Sequence, residues 1–331
     1  MKMGPRPQAP RGWIGAHADI ARRAALARDD AVMRWPALLI AVLLAGCGGV
    51  HHPGHAAGAR TPGAAPTPAS SAAPAAARSC GAGPSRVSTA TASLSRRSAI
   101  SGARRGVDPT VWYPALAARG CRLPLILFSH GHYGAPAGCS RLCGALAADG
   151  FVVLAPLHAD RGTPLGLQAA ERVDDLTFLL DHLPEVWKRL APALSGRVEA
   201  STFGVFGHSF GGRTAAELAG QDARVRALMT MAGGADRGTT GQIRAATLML
   251  AGSADTVDPV HLSEASLHAL PVATPKGLLV VEGARHGDLI DGCVRLPGAC
   301  AKIAGVAGAL FETYVAGRRG ASAPLRAAGF R

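Results

Sequence analysis

Phe203-Gly204-Val205-Phe206-Gly207-His208-Ser209-Phe210-Gly211-Gly212 is the stretch that decides the fold. The run ending at Phe206 is apolar and reads as a buried strand. Gly207-His208-Ser209-Phe210-Gly211 follows at once, and Ala215-Ala216-Glu217-Leu218-Ala219 then reads as a small-residue helix. A serine on a sharp turn between strand and helix has its hydroxyl lifted above the sheet. Glycines flank it because side chains there would collide with backbone. The helix N-terminus behind it favours negative charge developing at a reacting oxygen. The bare five-residue pattern is short enough to arise by chance; the strand before it and the helix after it give it meaning.

Outward from this stretch, short apolar runs alternate with segments of helical period. Leu125–Phe128, Phe151–Leu154, Phe203–Phe206, Ala227–Met229, Thr247–Leu250 and Leu278–Val281 read as strands buried on both faces. Val111-Trp112-Tyr113, ahead of Pro114, reads as an edge strand entering the domain. Val173, Leu176, Leu180 and Leu183 form one apolar stripe of a helix, with Asp174, Asp175 and Asp181 off it. Ile303–Tyr314 reads as another helix. The expected class is α/β, a mostly parallel central sheet with helices on both faces. No large cap domain is expected. Between the strand ending near Met231 and the next near Thr247, Ala232–Ala246 carries four glycines and little apolar periodicity.

A serine hydroxyl needs a base, and the base needs an acid to hold its tautomer. His286 follows the last apolar strand, in Glu282-Gly283-Ala284-Arg285-His286. Asp255 lies in the loop after Thr247–Leu250, with Asp258 the rival acid and Asp288 a weaker one. The chain order Ser209, Asp255, His286 fits a strand-loop nucleophile fold. His208 is expected to point away from the nucleophile, His182 to lie on a helix surface, and His51, His52 and His55 to lie in a tether. The amides of Phe210 and His132 are expected to form an oxyanion hole, His132 lying in the loop Ser129–Gly134. Metal ligation by His130 and His132 lacks a third ligand, so neither metal nor cofactor is expected.

On Val111–Ala115, Phe128–Gly131, Gly207–Gly212, Ala254–Pro259 and Gly283–His286, the chain resembles the α/β-hydrolase superfamily. Within it, the resemblance is to platelet-activating-factor acetylhydrolases, dienelactone-hydrolase-like proteins and bacterial cutinases or polyester hydrolases. It implies hydrolysis of carboxylic esters through an acyl-enzyme, without a cofactor. Two positions depart from the pattern: dienelactone hydrolases carry cysteine where Ser209 stands, and polyester hydrolases usually carry an aromatic where His132 stands. Rival classes are a catalytically silent surface lipoprotein and a peptidase or lactonase on the same fold.

Trp35–Leu44 has the length of a signal h-region, too short to span a bilayer. It runs into Leu44-Ala45-Gly46-Cys47, which resembles a bacterial lipobox and marks Cys47 for lipidation. Residues 33–46 are then a lipoprotein signal, and 1–32 precede an expected start at Met33. Residues 47–79, rich in Gly, Ala and Pro, read as a tether, and 80–331 as the hydrolase domain. The expected product is exported and held at a membrane by its lipid. With Cys47 acylated, Cys293 with Cys300, Cys139 with Cys143 and Cys80 with Cys121 are the candidate disulfides. The net charge of +13 is spread thinly, with no long basic run, so no nucleic-acid partner is expected.

Overall fold

The apolar runs become strands because residues alternating up and down a strand find hydrophobic cover on both sides. The strands of the computed structural model are β1 (Val87–Thr91), β2 (Ser95–Arg97), β3 (Arg104–Gly106), β4 (Pro109–Pro114) and β5 (Leu123–Ser129), then β6 (Val152–Pro156), β7 (Val198–His208), β8 (Val225–Met231), β9 (Ala246–Gly252) and β10 (Lys276–Val281), and the apolar runs are found from β4 onward. The structure describes residues 86–115, 122–234, 237–318 and 322–331, all within the unit Ser71–Arg331. The segments expected to be a signal and a tether, with Cys47, Cys80 and Cys121, lie outside the described residues.

Eight strands form one sheet in the order β1-β4-β6-β5-β7-β8-β9-β10. The pairs β1–β4 and β4–β6 are antiparallel, and every pairing from β6 to β10 is parallel. Every residue of β6 and of β9 is buried, as expected of strands covered on both faces. This is the α/β-hydrolase fold. One expectation needs correction: the strand containing Val111–Tyr113 is not at the edge. The edge is β1, whose sequence Val-Ser-Thr-Ala-Thr is too polar and too exposed to announce itself as a strand.

Helices cover the two faces. α1 (Ser140–Ala148) packs with α7 (Ala299–Tyr314), where Leu142, Leu146, Ile303, Leu310 and Phe311 share one core with Phe128 and Phe206. On the other face α2 (Leu165–Asp181), α3 (Leu183–Leu190) and α4 (Phe210–Gln221) share a second core with Leu125, Leu127, Phe203 and Val205. Short helices α5 (Arg237–Thr240), α6 (Val260–Ala269) and α8 (Ser322–Ala327) complete the described set. The expected stripe through Leu183 spans two helices, because α2 stops at Asp181 and Leu183 opens α3.

The chain leaves β5 for β6 on one side and returns to β7 on the other. The carboxyl ends of β5 and β7 therefore flank a point where connections diverge, and such points open a crevice in α/β sheets. Ser129 and His208 are the last residues of those two strands.

Candidate active site

Ser209 sits between β7 and α4 with φ 54° and ψ −124°, a backbone region that side chains rarely occupy. Its N–H donates to Met231 C=O at 2.8 Å, and its own carbonyl accepts from Gly212 N–H at 2.8 Å. The turn is tight enough that a Cβ on Gly207 would overlap the Gly211 carbonyl, and one on Gly211 the Ser129 carbonyl. Ser209 itself is half-buried.

His286 Nδ1 lies 2.8 Å from Asp255 Oδ2, with the imidazole 24% exposed and the carboxylate fully buried. The other oxygen of Asp255 accepts the amides of Val257 at 2.8 Å and Asp258 at 3.0 Å. Asp255 thus has both oxygens engaged, which fixes the tautomer of His286 with its proton on Nδ1 and leaves Nε2 to accept. The buried Oδ2 of Asp258, by contrast, has no hydrogen-bond partner among the described residues. Burial, then the charge of Asp255, raises its pKa against the opposing His286 and His261. Asp288 is committed elsewhere, to Arg295 and the Arg285 amide.

The His208 side chain reaches the loop of His286. Its Nε2 lies 2.8 Å from the carbonyl oxygen of His286, and the two rings stand 4.8 Å apart. Burial lowers its pKa to about 4, so a neutral ring donates to that carbonyl and ties the elbow to the loop of His286. The disulfide Cys293–Cys300, with Cα atoms 5.1 Å apart, closes the next turn of the same loop onto the start of α7.

The loop after β5 stands against α4. The His132 ring stacks on Tyr133 at 3.9 Å and faces the Phe210 ring at 5.5 Å. The structure therefore brings together the two residues expected to supply oxyanion donors. His182 caps α2 at the surface, as expected.

Cys139 and Cys143 are free and buried, which corrects the expectation of a bridge. Cys139 ends a turn that runs directly into α1, holding the two Cβ atoms at i, i+4 spacing, about 5–6 Å on a helix. A disulfide needs about 3.8 Å. Burial pushes the Cys143 thiol up, and its hydrogen bond with Cys139 adds to this.

A buried polar cluster beneath the loop escaped the sequence reading. In the β2–β3 hairpin Arg96 and Arg105 pair in register and both point inward, while Arg97 and Arg104 face out. Arg96 Nε donates to Asp175 Oδ1 at 2.7 Å, Arg105 Nη2 to Asp175 Oδ2 at 3.0 Å, and Arg96 Nη2 to Glu171 at 2.6 Å. Asp175, expected to point away from the apolar stripe, is instead completely buried, one turn from the equally buried Arg172 and Leu179. Its second oxygen takes His158 Nδ1 at 2.8 Å, and His158 Nε2 meets Ser129 Oγ at 3.0 Å. Ser129, His158 and Asp175 thus form a hydrogen-bonded serine–histidine–aspartate chain, and every one of these side chains is sealed from solvent. An ester cannot reach Ser129, so this set is scaffold. The signal that sequence did offer was Arg172 and Asp175 together, one turn apart beside an apolar stripe.

Two clefts, of about 350 Å³ beside Arg105 and Thr163 and about 460 Å³ beside Arg226 and Arg244, include none of Ser209, Asp255 and His286 in their walls. Among the described residues no group of three or more His, Cys, Asp or Glu could hold a metal ion, and no helix is long and apolar enough to cross a membrane.

The family model described as PETase, PET hydrolase-like, matches residues 55–291. The chain belongs to the PET hydrolase-like family. Among similar proteins, Cutinase 2 of Thermobifida cellulosilytica is 28% identical over 162 residues, which is 49% of this chain and 59% of that protein. Cutinase est2 of Thermobifida alba is 30% identical over 162 residues, 49% of this chain and 52% of its own length. Cutinase cut1 of Thermobifida fusca is 29% identical, with 49% of each chain covered. The chain thus spans about half the length of the curated relatives it matches.

Proposed function

We propose that this protein is a serine hydrolase of carboxylic esters, acting through Ser209, His286 and Asp255. The observation that carries the reading is the Asp255–His286 hydrogen bond at 2.8 Å, on a loop that the elbow residue His208 grips by the His286 carbonyl. Ser209 Oγ attacks the ester carbonyl while His286 Nε2 takes its proton. The carbonyl π pair moves onto oxygen, where the amides of Phe210 and His132 would receive it. Collapse expels the alcohol, protonated by His286, and leaves an acyl-Ser209. Water, deprotonated by the same imidazole, then releases the acid and restores Ser209. Asp255 steadies the imidazolium that forms.

The substrate class we infer is short or exposed acyl esters, including those on a polymer surface. The cutinase names of the relatives agree with that class. No helical cap stands over Ser209 among the described residues, the segment between β8 and β9 holding only the short α5. We further propose export and anchoring through an acylated Cys47. Radiolabelled palmitate incorporated by wild type and lost in Cys47→Ala would support this, and equal labelling would refute it.

The test of activity is p-nitrophenyl acetate turnover by Ser209→Ala. The variant should fold normally and lose on the order of 10⁴-fold in kcat. Retention of about a tenth of wild-type activity would reject the assignment.

A further inference from the structure

The Gly131 carbonyl is held from three sides. His130 Nδ1 lies 2.8 Å from its oxygen, Gly134 N–H donates at 3.0 Å, and Arg172 Nη2 donates at 3.3 Å. The neighbouring His130 carbonyl takes Arg172 Nη1 at 2.6 Å. Arg172 is itself fully buried and locked, its Nε donating to Asp160 Oδ1 at 3.0 Å and its Nη2 to Asp160 Oδ2. The same guanidinium lies 4.9 Å from the centre of the Phe210 ring.

These contacts bear on the site through the geometry of one peptide. Gly131 C=O and His132 N–H belong to the same planar unit, and in a trans peptide they point to opposite sides. Whatever fixes the carbonyl therefore fixes the amide. We propose that Arg172 and His130 are positioning residues that clamp the Gly131 carbonyl and so aim the His132 amide at the developing oxyanion. This rests on the hydrolase reading above and adds to it the device that pre-organises the second donor. The Phe210 amide needs no such help, since α4 holds it.

His130 suits the task because its ring is bonded at both nitrogens. Nδ1 donates to Gly131, and Nε2 accepts the His158 N–H at 3.1 Å. That pairing needs the neutral ring. Burial, then His158, lowers its pKa to about 3, so the clamp persists through any ordinary assay range. Arg172 holds two successive carbonyls with separate nitrogens, which a single ammonium could not span.

A pre-aimed donor binds the developing oxyanion more strongly than the ground-state carbonyl, so losing its aim falls on kcat. The experiment compares wild type, Arg172→Gln and His130→Phe with p-nitrophenyl acetate, and with butylboronic acid as a tetrahedral-adduct probe. Circular dichroism and melting check the fold. His130→Phe keeps a ring against His158 while removing the Nδ1 donor, so it serves if Arg172→Gln does not fold. The expected result is a kcat reduced about 10- to 100-fold, KM within threefold of wild type, and a boronate Ki raised by a similar factor to the loss in kcat. A folded variant with wild-type kcat and wild-type boronate Ki would overturn the clamp. So would a loss confined to KM. A wild type inert to both ester and boronate overturns the hydrolase reading itself, and the clamp's purpose with it.

Discussion

The backbone N–H of Asp258 donates to the carboxylate of Asp255 at 3.0 Å, so one acid of this loop helps fix the other. The side chains differ in kind: Asp255 binds His286, whereas one oxygen of Asp258 is buried without a partner. Asp255→Asn should lower kcat on the order of 10⁴-fold by presenting the wrong hydrogen-bonding group to His286. Asp258→Asn should leave kcat within about threefold. Steady-state kinetics on the two variants decides between them, and a dead Asp258 variant would reverse the assignment.

Asp258 also gives a pH signature in stability. Its folded pKa is raised, chiefly by burial, so the native state holds this proton more tightly than the unfolded chain. Stability from this group is therefore present below the ordinary value of about 3.9 and lost as pH rises through the raised pKa. Asp258→Asn should increase Tm at pH 8 and change it little near pH 3.5. Calorimetry at the two pH values tests the sign.

The histidines work in the opposite sense. Burial lowers His130 to about 3 and His208 to about 4, and lowers His158 as well despite its bond to Asp175. Unfolded histidines take up protons near pH 6.5. Stability should thus be greatest above that value and decline as pH falls from about 6.5 towards 4, where the unfolded chain binds more protons. A Tm that is flat between pH 7 and pH 4.5 would contradict neutral burial of these rings.

Cysteine chemistry should divide cleanly. In native protein, Cys139 and Cys143 should resist iodoacetamide because both are buried; in denatured, unreduced protein both should alkylate while Cys293 and Cys300 do not. Removing the bridge by Cys293→Ser with Cys300→Ser should cost about 2–3 kcal/mol. Peptide mapping and melting report the two effects.

Acyl-chain preference follows from the uncovered site. With α5 the single helix between β8 and β9 among the described residues, a long chain finds little surface to leave water against, and burial is worth about 25 cal/mol per Å². Across p-nitrophenyl esters kcat/KM should peak between about two and eight carbons. A steady rise to palmitate would require an acyl tunnel.

Much of the fold was legible because a parallel sheet buries both faces of its strands. The resulting apolar runs, such as Phe151–Leu154 and Thr247–Leu250, are visible without any partner and fall in the strands Val152–Pro156 and Ala246–Gly252. The turn at Ser209 was legible for a similar reason: its glycines and serine are local in sequence. β1 was not, since an exposed edge strand needs few apolar residues. The cluster of Arg96, Arg105, Glu171 and Asp175 was hidden for a deeper reason. A charged side chain reads as solvated unless its counter-charge is known, and here that partner stands 70 or more positions away for each arginine with Asp175. Arg172 was hidden likewise, its carbonyl partners lying about 40 residues upstream on the loop after β5.

Ser209, and not the buried Ser129 with its own histidine and aspartate, is the proposed nucleophile. A fluorophosphonate probe followed by peptide mass mapping tests this directly on the folded protein. One phosphonyl adduct on Ser209, absent in Ser209→Ala and strongly slowed in His286→Ala, is the predicted result. An adduct on Ser129, or a folded wild type that takes up no probe, would contradict it.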